Sequence, residues 1–197
     1  MCRWRSPAPP PQDRPASINV VLTGADGGNA IRPWPSATMD KVFWLLPGKL
    51  AGRPGPDREP WVVDALREGG IEAILSVNDG VSCDPDELAA YGIAYALVPL
   101  SPNAPPQPGD DEVCLRALPL AYAFVRAQIA EGRGVLVHCS SGKDRTGLFL
   151  CYFLMRQANL SPAEAIEAVR RVRPIALSAV GWEELALRVL AGPDPGA

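Results

Sequence analysis

One stretch constrains this chain more than any other. Val135-Leu-Val137 is a short apolar, β-prone run. The polar loop that begins at His138 then passes at Thr146 into the apolar helical run Gly147–Gln157. The pattern predicts a buried strand, a tight loop and a buried helix in immediate succession. Neither element can be buried without partners, so other strands must flank the first and other helices must pack on the second.

The remaining sequence supplies those partners. Lys41–Leu46 reads as a strand ending at the turn signal Pro47-Gly48, and Gly52–Pro60 as a Pro/Gly-rich loop. Trp61–Arg67 has helical spacing and stops at Gly69-Gly70. Ile71–Val77 and Ile93–Leu100 read as buried strands, with a short helix, Asp84–Tyr91, between them; Asp84 is placed to cap it and Pro85 to start it. Asp110–Ala130 is helical in pattern, with Pro119 expected to kink or divide it. Ser161-Pro-Ala-Glu164 carries a capping-box signature ahead of Ile166 and Val169, and Glu183–Leu190 offers a last helix. Strands alternating with helices predict an α/β fold: a central, mostly parallel sheet of about four to five strands, flanked by helices on both faces in three layers.

The domain is expected over residues 39–192, about 160 residues and one core. Residues 1–38, rich in Pro, Gly, Ser and Ala, are expected to be a poorly ordered tail, with Ile18–Leu22 a possible short strand and Gly24–Gly28 a linker. Residues 193–197 form a short C-terminal tail.

The net charge of −3 argues against general nucleic-acid binding, which needs a basic surface. The basic residues at the start are followed by prolines where an export signal needs an apolar run, and Leu148–Met155 is too short to span a bilayer, so no integral membrane segment is expected. Five scattered cysteines do not make a disulfide framework, and the expected setting is reducing and cytoplasmic. With one histidine and no Cys-x-x-Cys pair, a metal site has almost no candidate ligands.

The loop reads HCSSGKDRTG. Cys139 lies where a strand ends ahead of a helix, so backbone N–H groups and the helix dipole favour its thiolate, and Arg145 adds positive charge. The same amides, turning at Gly142, suit the oxygens of a phosphate dianion, with Ser140, Ser141, Gly142, Lys143 and Thr146 as the expected binding residues. Arg145 presents a planar fork to two of those oxygens, a task lysine would do poorly. Thr146 could donate its hydroxyl to the departing sulfur. His138 is expected to support and orient the loop rather than to act as a base. Trp61 and Trp182 read as packing residues. A Walker-type nucleotide loop does not fit, because Asp144 follows Gly142-Lys143 where Ser or Thr is needed.

Cys139, five intervening residues, Arg145 and then Thr146, preceded by His138, resemble the signature of cysteine-dependent tyrosine and dual-specificity phosphatases. Weaker similarity extends over about residues 41–190, including Lys49-Leu-Ala-Gly-Arg-Pro54 and Val98-Pro-Leu-Ser-Pro-Asn-Ala-Pro-Pro106. The resemblance implies the same three-layer fold, a phosphocysteine intermediate and no metal or other cofactor. It also implies a general-acid aspartate on the loop after the strand Ile93–Leu100, and here that loop begins Ser101-Pro-Asn-Ala. Asp144, inside the loop as in myotubularin-type lipid phosphatases, is the preferred acid; Asp110 and Asp111 are the alternatives, and they equally suit the capping of a helix. The expected substrate is a phosphorylated protein, or else a phosphoinositide. A phospho-ligand-binding module without turnover is the second reading, and a rhodanese-like sulfur transferase, against which Arg145-Thr146 argues, the third.

Overall fold

The computed structural model describes residues 39–78 and 80–192. The expected N-terminal tail, with its strand at 18–22 and its linker at 24–28, and the expected C-terminal tail lie outside them. Five strands form one sheet: β1 (Phe43–Leu46), β2 (Leu50–Pro54), β3 (Ile71–Ser76), β4 (Ala94–Leu97) and β5 (Gly134–Cys139), in the order β1-β2-β5-β3-β4. Among the described residues, only the β1–β2 pair is antiparallel. β5 is therefore central, paired in parallel with β2 and β3, and the end of a central parallel strand is where an open α/β sheet presents its site.

Among the described residues six helices cover the sheet: α1 (Val63–Glu68), α2 (Pro85–Ala90), α3 (Asp110–Ala130), α4 (Asp144–Ala158), α5 (Pro162–Val172) and α6 (Trp182–Ala191). The alternation of side chains along a strand splits β5 between two cores. Val135, Val137 and Cys139 face a large cluster with Leu118, Phe149, Leu150 and Trp182 from α3, α4 and α6. Leu136 faces a smaller one with Val63, Leu66 and Leu88 from α1 and α2. The nucleophile candidate thus belongs to the face that carries α4.

The helix ends follow the expected chemistry. Asp84 caps α2 by accepting the Asp86 and Glu87 N–H groups, and Ser161 with Glu164 closes a capping box on α5. Three expectations need correction. Gly52–Pro60 was expected to be loop throughout, but Leu50–Pro54 is a strand: its neighbours on both sides supply the pairing that Gly52, Arg53 and Pro54 disfavour by propensity. α4 begins at Asp144, not Gly147, so Arg145 and Thr146 belong to its first turn. α3 runs through Pro119 undivided, because burial of Cys114, Leu118, Ala121 and Val125 on either side offsets the proline's cost of about 3 kcal/mol. Among the described residues α3 alone is long and apolar enough to cross a membrane by length and composition, which the shorter run Leu148–Met155 did not suggest; here its apolar face packs on the large core.

Phe149 lies fully buried between β5 and α6. Phe149→Ala should lower the unfolding free energy by about 3–5 kcal/mol, read as a drop in the urea midpoint at unchanged slope.

Candidate active site

The loop between β5 and α4 is held by its carbonyls. Ser140 O accepts the Gly55 N–H at 3.0 Å. Arg173 donates from one guanidinium to Ser141 O and Gly142 O, both at 3.1 Å. In a planar trans peptide the carbonyl of one residue and the N–H of the next point in opposite directions. With three successive carbonyls tied outward, the N–H groups of Ser141, Gly142 and Lys143 must turn the other way. The first helical bond of α4 is made by the Gly147 N–H to Lys143 O, so the amides of Asp144, Arg145 and Thr146 are not used within the helix. Successive amides on one side of a tight loop at a helix start form an anion cradle.

Two glycines let the backbones come this close. Gly142 sits at φ +58°, and a Cβ there would meet Arg53 C and O at 2.4 and 2.5 Å. A Cβ on Gly55 would meet Cys139 O at 2.8 Å. The end of β2 is thus the wall against which the loop is folded.

Cys139 is 1% exposed, at the last position of β5. His138, on the opposite face of the strand, is fully buried. Its Nε2 lies 2.5 Å from Ser76 Oγ and 3.4 Å from Cys83 Sγ, and Trp61 meets its ring edge-on at a centroid distance of 5.0 Å. Burial lowers its pKa to about 4, against which a hydrogen bond with the Cys139 backbone acts only in part. The imidazole is thus held through Nε2, while its buried Nδ1 has no hydrogen-bond partner, and a ring kept neutral by burial is poorly placed to take up a proton as a base.

Arg145 ties in the loop that follows β4. Its Nε donates to Ser101 O and its Nη2 to Pro102 O, at 2.8 Å for the latter. Its guanidinium carbon lies 5.3 Å from the centre of the buried Trp182 ring, so Trp182 is a platform for the cation as well as a packing residue. Asp110 braces the same loop: 3% exposed, it accepts the Gln107 N–H at 2.6 Å and the Asn103 amide at 3.0 and 3.1 Å. Its pKa is lowered; burial acts to raise it and is outweighed by these hydrogen bonds and by Arg145. Asp110 does not cap α3, whose cap position is Gly109 with no side-chain cap bond; its oxygens brace the preceding loop instead.

The other expected residues are accounted for as follows. Ser140 is exposed and Ser141 half-buried at the loop surface. Asp144 accepts the Ala179 N–H at 3.2 Å and pairs with Lys143 Nζ at 3.6 Å. Thr146 is buried, and its Oγ1 has no hydrogen-bond partner, so the bond to the cysteine sulfur is not made in this geometry. Reading the sequence missed Arg173, Asn103 and the stacking role of Trp182. A helix-end arginine has no local signature; only the fold brings it 31 residues back along the chain to the Gly142 carbonyl.

A cysteine at the end of a central parallel strand, facing an amide cradle and an arginine six residues on, defines the class of cysteine-based phosphate-binding sites. The chain belongs to the dual specificity phosphatase family, since residues 63–186 match the family described as "Dual specificity phosphatase, catalytic domain". It is 35% identical to dual specificity protein phosphatase 12 of Homo sapiens over 143 residues, 73% of this chain and 39% of that one. It is 32% identical to dual specificity phosphatase 28 of Homo sapiens over 132 residues, 66% of this chain and 69% of the relative. The chain thus spans about two fifths of the length of the dual specificity protein phosphatase 12 relatives. Among solved structures, Tk-PTP in its active form superposes with a TM-score of 0.62 at 22% identity, covering 80% of this chain and 97% of that one. PTPMT1 in complex with PI(5)P superposes at 0.59 and 18% identity, covering 75% and 93%. These two establish the fold.

Two outcomes follow from the site. The chain has a single histidine, so its imidazole NMR signal needs no assignment by mutation; it should stay flat from pH 8 to about 5 and titrate near pH 4. Because an unfolded histidine binds its proton near pH 6.5, this group contributes stability that is fully present above that pH and is lost as pH falls toward 4, visible in urea midpoints. Arg173→Ala should lower kcat/KM for an aryl phosphate by about tenfold or more and weaken inhibition by inorganic phosphate in step, with Arg173→Lys restoring little because one ammonium does not span two carbonyls.

Proposed function

We propose that this protein hydrolyses phosphate monoesters of proteins, phosphotyrosine and phosphoserine or phosphothreonine, through a phosphocysteine intermediate. The observation that carries the reading is the tethering of the Ser140, Ser141 and Gly142 carbonyls, which turns three amides inward beside Cys139. The Cys139 thiolate attacks phosphorus as the ester oxygen departs with a proton. The amides and Arg145 hold the equatorial oxygens, an arrangement that tightens as the phosphorus becomes trigonal bipyramidal. Water then attacks the phosphocysteine, gives up a proton, and expels the thiolate, leaving inorganic phosphate.

The reading places the protein in a reducing compartment such as the cytoplasm. Its support is that the four described cysteines are unbridged and that burial pushes Cys114 up to about 11 and Cys151 to about 12, leaving both inert as thiols. A second substrate reading, a phosphoinositide, is supported by one feature. A cavity of about 370 Å³ beside Ser141 is lined by Lys41, Arg58, Lys143 and Arg173 against a single carboxylate, Glu59. That concentration of positive charge suits a second phosphate, in a chain whose net charge is negative.

The test is phosphate release from p-nitrophenyl phosphate, phosphopeptides and a phosphoinositide panel with a metal chelator present. Turnover that survives the chelator and falls by at least about 10³-fold in Cys139→Ser is the expected result. Tight phosphate-ester binding by folded wild type with no turnover would instead identify a binding module, and the preferred ester decides between the two substrate readings.

A further inference from the structure

Departure of an unactivated phenoxide or alkoxide needs a proton, and the position where a carboxylic acid was expected does not supply one. The loop after β4 offers Arg145 two backbone carbonyls, from Ser101 and Pro102. Asp110, the first carboxylate downstream, is buried as the brace of that loop, its oxygens taken by Gln107 and Asn103. Asp144 has one oxygen on the Ala179 N–H and the other beside Lys143 Nζ.

Among the described residues, one carboxylate lines the cavity that Arg145 and Ser140 of the phosphate loop share. A cavity of about 450 Å³ is lined by Asp57, Asn78, Leu100, Ser101, Ser140 and Arg145. Asp57 is exposed at its rim, and its charge acts on both His138 and Cys83. Its place is set by backbone bonds. Asp57 lies two residues after Gly55, whose N–H donates to Ser140 O, and the turn is closed by the Arg58 and Glu59 N–H groups on Gly55 O. The backbone of the turn that carries Asp57 is therefore fastened directly to the phosphate loop, which sets where the side chain starts relative to the site.

We propose, resting on the phosphatase reading above, that Asp57 is the general acid and base of this site, supplied by the β2–α1 turn. In the first step the protonated Asp57 carboxyl gives its proton to the ester oxygen as the P–O bond breaks and the S–P bond forms; the alcohol leaves and Asp57 becomes a carboxylate. In the second step that carboxylate takes a proton from the attacking water as the new P–O bond forms and the S–P bond breaks. The thiolate and the protonated Asp57 are regenerated, and the sum is ester plus water to alcohol plus inorganic phosphate.

The experiment compares wild type, Asp57→Asn and Asp144→Asn on phenyl phosphate, whose leaving group needs the proton, and p-nitrophenyl phosphate, whose leaving group departs without it. Asp57→Asn should lose about 10²-fold in the rate of phosphocysteine formation on phenyl phosphate, measured by single turnover, and several-fold at most on p-nitrophenyl phosphate, while Asp144→Asn keeps the wild-type ratio. Equal losses on both substrates would mark Asp57 as structural and overturn the proposal, as would a phenyl-specific loss in Asp144→Asn alone. A wild type that turns over neither ester overturns the phosphatase reading and this assignment with it. A wild type that is active, dependent on Cys139 and insensitive to Asp57→Asn overturns only the assignment.

Discussion

The orientation of three peptide planes decides what this molecule can bind. A peptide unit has one donor and one acceptor on opposite sides, and the loop after β5 satisfies its acceptors from outside, with the Gly55 amide and the Arg173 guanidinium. The donors are then left for an anion. The anion site is thus held from behind, by the chain just after β2 and by the end of α5, and its quality depends on what holds the loop's carbonyls as well as on the amides themselves. The same logic explains Gly142 and Gly55, whose missing side chains let two backbones approach at distances that a Cβ would forbid.

The two cores of the sheet divide the labour around that loop. On one face, Cys139 continues the row of Val135 and Val137 toward α4, so the apolar packing of Phe149 and Trp182 fixes where the sulfur lies. On the other, His138 is locked among Ser76, Cys83 and Trp61, and it is too buried to take up charge near neutrality. Stability and site geometry are therefore not separable here: core residues aim the functional ones.

The strand-loop-helix and the two chemically loaded side chains, Cys139 and Arg145, were legible because their evidence is local: a β-prone run, a polar loop and a helical run within about twenty residues. The caps at Asp84 and Ser161 were legible for the same reason. What stayed hidden depends on partners distant in sequence. β2 contains Gly52, Arg53 and Pro54, and a Cβ on Gly52 would meet the Phe43 ring at 2.4 Å and the Thr146 methyl at 3.1 Å. No propensity reveals that. Arg173 and Trp182 read as an ordinary charge and an ordinary aromatic until the fold places them on the Gly142 carbonyl and under the Arg145 guanidinium. The helix start at Asp144 was obscured by Lys143 at the cap position, where no side chain closes the first turn.

Arg145 has one further consequence. The guanidinium assigned to the phosphate in the proposed mechanism is also the fastener of the loop after β4, through the Ser101 and Pro102 carbonyls. A shared cation makes the two events thermodynamically reciprocal: whatever free energy loop docking lends to phosphate affinity, phosphate lends to loop docking in equal measure. By that linkage, a ligand or partner that shifted residues 101–103 would change phosphate affinity without entering the site.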